Sequence, residues 1–195
     1  MLPPRVDLQR RRFFAAAAAM AYGAATPAGA QVVQADHGRV TPPVPIPAIA
    51  LRCADGSATN LAALLQGRAT ALHLIFTACS TVCPIQGAIF ARVQALLPDQ
   101  AVRGIQLLSI GIDPDSDAPP SLRAWLQRYD ARPGWTAAAP EGKGLDAVLG
   151  IFGQGRNAVE SHSTQVNIID RKAQLVFRTP PLPSAEALAD ILRRV

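Results

Sequence analysis

The chain has 195 residues, 49% of them hydrophobic and 17% charged, with a formal net charge of +5. That balance suits one globular domain with a sizeable core and excludes a chain that is disordered throughout. The basic excess sits at the start: residues 1–30 hold four of the 19 Lys and Arg but one of the 14 Asp and Glu, so the remainder is close to neutral and nucleic-acid binding gains no support.

Residues 1–30 read as a signal segment. Gln9-Arg10-Arg11-Arg12-Phe13-Phe14 resembles a twin-arginine signal, an Ala-rich stretch runs to Ala25, and Ala28-Gly29-Ala30 offers a small-x-small cleavage site. The apolar stretch is shorter than the ~20 residues a membrane-spanning helix needs. Export with cleavage is the expectation, and retention as a membrane anchor the alternative. Residues 31–47 are proline-rich with little periodicity and read as an extended linker that carries a solvated His37. The folded domain is expected over 48–195. It opens with Ile49–Cys53, a strand that ends in the Asp55-Gly56 turn, and a short helix around Leu61, Leu64 and Leu65.

Residues 71–97 organise the rest. An apolar run of strand length reaches Phe76, Cys79 and Cys83 follow four apart, and Pro84 opens a helix whose Ile85, Ile89, Val93, Leu96 and Leu97 recur at helical spacing. Proline suits the first helical turn and keeps its predecessor out of the α region, which places Cys83 at the helix threshold. Residues four apart in a helix have Cβ atoms about 5 to 6 Å apart, beyond the roughly 3.5 to 4.5 Å of a relaxed disulfide. A bent loop closes that gap or leaves it open. The positive end of the helix favours thiolate over thiol, so the dithiol is expected to be reactive and able to bind a soft metal.

Gly104–Ile112 reads as a strand buried on both faces. Asp113-Pro-Asp115-Ser-Asp117 has the start of a calcium loop but lacks its glycine and its closing acid, so it is expected to be a turn and helix-entry cap. Pro119 and Pro120 then open a helix with Leu122, Trp125, Leu126 and Tyr129 inward. Lys143–Phe152 is a further short helix, Gln165–Asp170 and Gln174–Arg178 an antiparallel hairpin, and Ser184 the cap of a last helix with Leu188, Ile191, Leu192 and Val195 buried. His73, inside the apolar strand, is expected to be a core histidine. Cys53, the leftover third cysteine, is expected to be buried in the lead-in hairpin.

The strand, then Thr77-Ala-Cys79-Ser-Thr-Val-Cys83-Pro84, then an amphipathic helix resembles the signature of the Sco/SenC family, thioredoxin-fold copper chaperones of cytochrome c oxidase assembly, over roughly residues 45–195. The resemblance implies an α/β, thioredoxin-like fold with an N-terminal β-hairpin extension and insertions, which agrees with the element order. In the family the acidic loop commonly reads Asp-Pro-x-Arg-Asp-Thr. Ser116 and Ala118 depart from that pattern, so the role of the family's Arg is not carried over.

By the family pattern His162, followed by Ser163 ahead of the hairpin strand, looks like a third metal ligand beside Cys79 and Cys83. Two thiolates and an imidazole suit Cu(I) and tolerate Cu(II), whereas zinc wants a fourth ligand that nothing here nominates. Glu160 is a candidate to orient the His162 ring. The function this implies is a periplasmic metallochaperone, not an enzyme, which takes copper from a donor protein and delivers it to the copper-bearing subunit of a respiratory cytochrome oxidase. A thiol reductant is a further expected partner. The rival reading is a thiol-disulfide oxidoreductase in which Cys79 and Cys83 form a redox-active disulfide and His162 has no necessary role.

Overall fold

The computed structural model describes residues 37–99, 103–152 and 163–195, all within one compact unit spanning Ala35–Val195. The proposed signal segment 1–30, Glu160 and His162 lie outside the described residues.

Two largely apolar strands, β4 (Ala69–Ile75) and β5 (Ile105–Gly111), run parallel and are buried at every position, the polar Thr70, His73, Gln106 and Ser109 included. Their continuous hydrophobicity suits a sheet covered on both faces. Between them the chain forms α2 (Val82–Leu96), and after β5 it continues through α3 (Pro119–Arg128) into β6 (Trp135–Pro140), parallel to β5. The hairpin of β7 (Asn167–Ile169) and β8 (Gln174–Arg178) adds antiparallel to the other side of β4. The short helix α4 (Gly144–Ile151) precedes that hairpin and α5 (Ala185–Leu192) follows it.

The lead-in supplies β1 (Gly38–Pro45), β2 (Ala50–Cys53), β3 (Ala58–Asn60) and α1 (Leu61–Leu65). The eight strands make one sheet in the order β1-β8-β7-β4-β5-β6-β2-β3. Side chains alternate across it. Ala69, Ala71, Ile105 and Leu107 meet Phe90 and Val93 of α2 and Leu188 and Leu192 of α5 in one cluster. Leu72, Leu74, Leu108 and Ile110 join Leu61, Leu65, Val148 and Phe152 in the other.

The β2–β3 hairpin turns at Asp55-Gly56 as expected. Gly56 has φ +88°, a left-handed conformation that glycine adopts without steric cost, and the Asp55 carboxylate accepts from both N and Oγ of Ser57. Cys53 is buried in this hairpin with a free thiol, and His73 is fully buried in β4. Ser184 caps α5 by accepting from Ala187 N at 3.2 Å. Leu188 and Leu192 are buried and Ile191 and Val195 pack against them.

Four expectations need correction. Residues 38–45, inside the stretch read as a linker, form β1 against β8. The strand lies at the sheet's edge, where the missing N–H groups of Pro42, Pro43 and Pro45 are tolerated. Strand β6 has no sequence signal, since Ala137, Ala138 and Ala139 have little β preference; pairing with β5 on one side and β2 on the other overrides that.

Helix α2 begins at Val82, so Cys83 lies inside its first turn and not at the threshold. Pro84 is still compatible, because N–H groups of the first turn have no intrahelical acceptor to lose.

The buried face of α2 is also rotated from the apolar stripe in the sequence. It carries Cys83, Gln86, Gly87, Phe90, Val93 and Gln94, while Ile85 is 48% exposed. The two glutamines go inward because the fold offers partners. Gln94 donates to Asp130 O at 3.1 Å and accepts from Arg132 N at 2.7 Å, and Gln86 Nε2 donates to Ser163 O at 3.4 Å.

Candidate metal centre

Strand β4 delivers the chain to Phe76, and the turn closed by Cys79 N donating to Phe76 O (3.0 Å) brings Cys79 over the start of α2. Thr81, the residue before the helix, makes no side-chain cap; its hydroxyl instead lies 3.5 Å from Cys79 Sγ. Burial of Cys79 opposes its ionisation, but hydrogen bonds from the backbone N–H of Cys83, from the hydroxyl and N–H of Thr81 and from the Cys83 thiol outweigh it and bring the Cys79 thiol down to about 6. The helix start thus acts as an anion cradle for this sulfur.

Cys83 behaves oppositely. It is 2% exposed, and its burial pushes the thiol up to about 12. Phe76 N donates to Cys83 Sγ at 3.5 Å, which works against the rise, while negative charge at Cys79 and Asp117 adds to it. Both thiols are free. The pair is therefore an accessible thiolate beside a buried thiol that keeps its proton until a metal or an oxidant takes its place. Two adjacent sulfurs of this kind are a donor set for a soft, low-coordinate ion such as Cu(I).

The residue that sequence reasoning missed is Asp117. A cap for α3 was expected from the acidic run, yet the N-cap position is Ala118, which has no side chain to bond with. Asp117 is 2% exposed and turns back to the dithiol loop. Its Oδ1 accepts from Thr77 N (2.8 Å) and Thr77 Oγ1 (2.7 Å), and its Oδ2 accepts from Asp113 N (2.9 Å). Gly111 makes room for it, since a Cβ there would stand 2.6 Å from Asp117 Cβ. The one hint in the sequence was a glycine ending a strand otherwise filled with larger residues. Asp113 closes its own turn, accepting from Asp115 N and Ser116 Oγ.

Between this loop and α3 lies an open groove of about 410 Å³, walled by Thr77, Ala78, Ser116, Trp125 and Arg128. Ser116, at the position where the family pattern has Arg, leaves that wall small.

Among the described residues no three His, Cys, Asp or Glu side chains are placed to hold one ion together. The structure brings Cys79 and Cys83 together. His73 points into the core and Cys53 is buried in the β2–β3 hairpin. The expected third ligand, His162, lies outside the described residues, but its neighbour Ser163 is tied through its carbonyl to Gln86, three residues beyond Cys83 on α2.

A dithiol between a buried parallel strand and the helix after it, with an antiparallel hairpin on the strand's other side, defines a thioredoxin-like protein. The family model described as SCO1/SenC matches residues 53–195, and the chain belongs to that family. Solved structures agree on the fold. The chain is similar to apo Sco1 from Thermus thermophilus (20% identity, 81% of this chain and 95% of that one, TM-score 0.64). It is also similar to copper-bound yeast Sco1 (20% identity, 78% and 92%, TM-score 0.62) and to copper-bound ScoI from Bradyrhizobium japonicum (18% identity, 77% and 99%, TM-score 0.63). A curated relative, a putative copper-binding protein from Stutzerimonas stutzeri, is 36% identical over 67 residues, a match that spans 33% of that relative's length.

Proposed function

We propose that this protein is an exported copper carrier that binds the ion through Cys79, Cys83 and His162 and delivers it to the copper-bearing subunit of a respiratory oxidase. The observation that carries the reading is the unequal dithiol, an accessible Cys79 thiolate beside a buried Cys83 thiol, with Ser163 bonded to the same helix. Copper is cargo here, and a site with one partly exposed sulfur suits an ion that must leave again. Membership in the SCO1/SenC family and the copper held by yeast Sco1 and the Bradyrhizobium protein support it. The copper donor and a thiol reductant are the partners such a cycle needs.

The test is metal analysis of anaerobically reduced protein offered copper. About one ion per chain is expected, with loss in Cys79→Ser and Cys83→Ser and none in the disulfide form, because the two sulfurs supply most of the affinity. His162→Ala should keep Cu(I), lose Cu(II) and impair oxidase maturation. Equal Cu(I) binding by the oxidised protein would remove the dithiol from the site.

The thiol asymmetry also favours a second reading, a thiol-disulfide oxidoreductase with Cys79 as the attacking group and Cys83 as the resolving one. Under that reading His162→Ala leaves oxidase maturation intact. A strain that carries only this variant separates the two.

A further inference from the structure

We infer that Asp117 is a positioning residue for the dithiol: acting through Thr77, it fixes the loop end that holds the Phe76 N–H on Cys83 Sγ. The chain of contacts is short. Asp117 Oδ1 takes both the N–H and the hydroxyl of Thr77, and the preceding N–H, that of Phe76, is directed at Cys83 Sγ. The carbonyl of the same Phe76 accepts the N–H of Cys79. One carboxylate therefore sets the peptide units that touch both cysteines, although it reaches neither sulfur itself through a hydrogen bond.

Asp117 is in turn held from the opposite side. Oδ2 accepts from Asp113 N, and Gly111 leaves space for its Cβ. A buried carboxylate with both oxygens engaged by donors has no free oxygen facing solvent, which suits a fixed anchor better than a ligand or a proton carrier. An N–H bonds a thiol or thiolate sulfur better than a disulfide sulfur, so the clamp favours the dithiol over the disulfide.

The experiment is the equilibrium of metal-free protein with glutathione, in which two glutathione thiols reduce the Cys79–Cys83 disulfide and leave as glutathione disulfide. Because no copper is present, the result stands apart from the copper-carrier reading. Asp117→Asn, which sets an amide N–H2 against one of the donors, and Thr77→Val, which removes the hydroxyl at constant shape, should each shift the equilibrium toward the disulfide by about three- to tenfold, or about 14 to 30 mV. The double variant should shift it no further than the larger single change, since the hydroxyl that Thr77→Val removes is one of the two Thr77 donors that Asp117 holds. Thr77→Ser, which restores the hydroxyl, should return it to within about twofold of the parent. Asp115→Asn, the same charge change on an exposed neighbour, should leave it there as well.

A lowered melting temperature with an unmoved equilibrium would reduce Asp117 to a structural residue and overturn the inference. So would additive shifts in the double variant, or an equal shift in Asp115→Asn. If Asp117→Asn does not fold, Thr77→Val against Thr77→Ser decides it alone.

Discussion

Two cysteines four residues apart differ in their chemistry because their surroundings differ. Cys79 has burial against it and four hydrogen-bond donors for it, and the donors win; Cys83 has burial against it and a single N–H for it, and burial wins. Alkylation of the reduced protein should therefore show one fast site whose rate rises through about pH 6 and is flat above about pH 7.5, mapped to Cys79. Cys83 should stay unmodified until the protein unfolds, being 2% exposed. Iodoacetamide rates between pH 4 and 9, read by peptide mapping, check both statements; a single rate climbing near pH 8.5 would mean that the helix start does not stabilise the thiolate. Thr81→Val should move the Cys79 midpoint upward, because it removes one of the four donors and leaves the backbone ones.

Helix α2 carries this chemistry, and what seats it is a glycine. A Cβ at Gly87 would run into the Tyr129 ring, and Tyr129 itself donates from its hydroxyl to Pro84 O at 3.3 Å. Gly87→Ala should cost stability despite alanine's better helix propensity, by about 1 to 3 kcal/mol of overpacking. Urea unfolding measures it, and a stability equal to the parent's would show that the ring swings aside freely. Neither contact was legible in the sequence, for a reason that applies to the whole helix. Periodicity alone pointed to Ile85 and Ile89 as the inward stripe, yet the glutamines at 86 and 94 go inside because Ser163, Asp130 and Arg132 meet them there. Strands β4 and β5, the β7–β8 hairpin and α5 were legible because their apolar patterns and the Ser184 cap are local. Strands β1 and β6 were not, since prolines and alanines form strands there only through their neighbours. At the site, the two cysteines announced themselves by spacing, whereas Asp117 looked like a helix cap until its partners on another loop were seen.

The molecule as a whole is tied at one hydroxyl. Ser109 Oγ in β5 lies 3.2 Å from Trp125 Nε1 of α3, 3.0 Å from Trp135 Nε1 of β6 and 2.6 Å from His73 Nε2 of β4. The imidazole also stacks on Phe90 of α2, with ring centroids 3.8 Å apart. Both indoles are donors only, so they fill the two acceptor positions of the hydroxyl, and its one proton must go to His73 Nε2. His73 is thereby a neutral imidazole with its proton on Nδ1. A protonated ring would bring a third N–H to an oxygen with no lone pair left. Burial accordingly lowers His73 to about 3 from an ordinary 6.5. The sign follows by linkage: between those values the unfolded chain takes up a proton that the folded one refuses, so this contribution is complete above about pH 6.5 and is lost as the pH falls toward 3. The window is worth on the order of 5 kcal/mol. Replacing the ring by an amide that can still accept from Ser109, His73→Gln, should lower stability at pH 7 through the lost stack but flatten its acid dependence. Comparing urea midpoints at pH 7 and pH 4 for both proteins tests this, because the carboxylates contribute to the acid limb of each alike. An unchanged difference between the two pH values in His73→Gln would mean that the buried histidine is not what makes the fold acid-sensitive, and the proton assignment at Ser109 would fall with it.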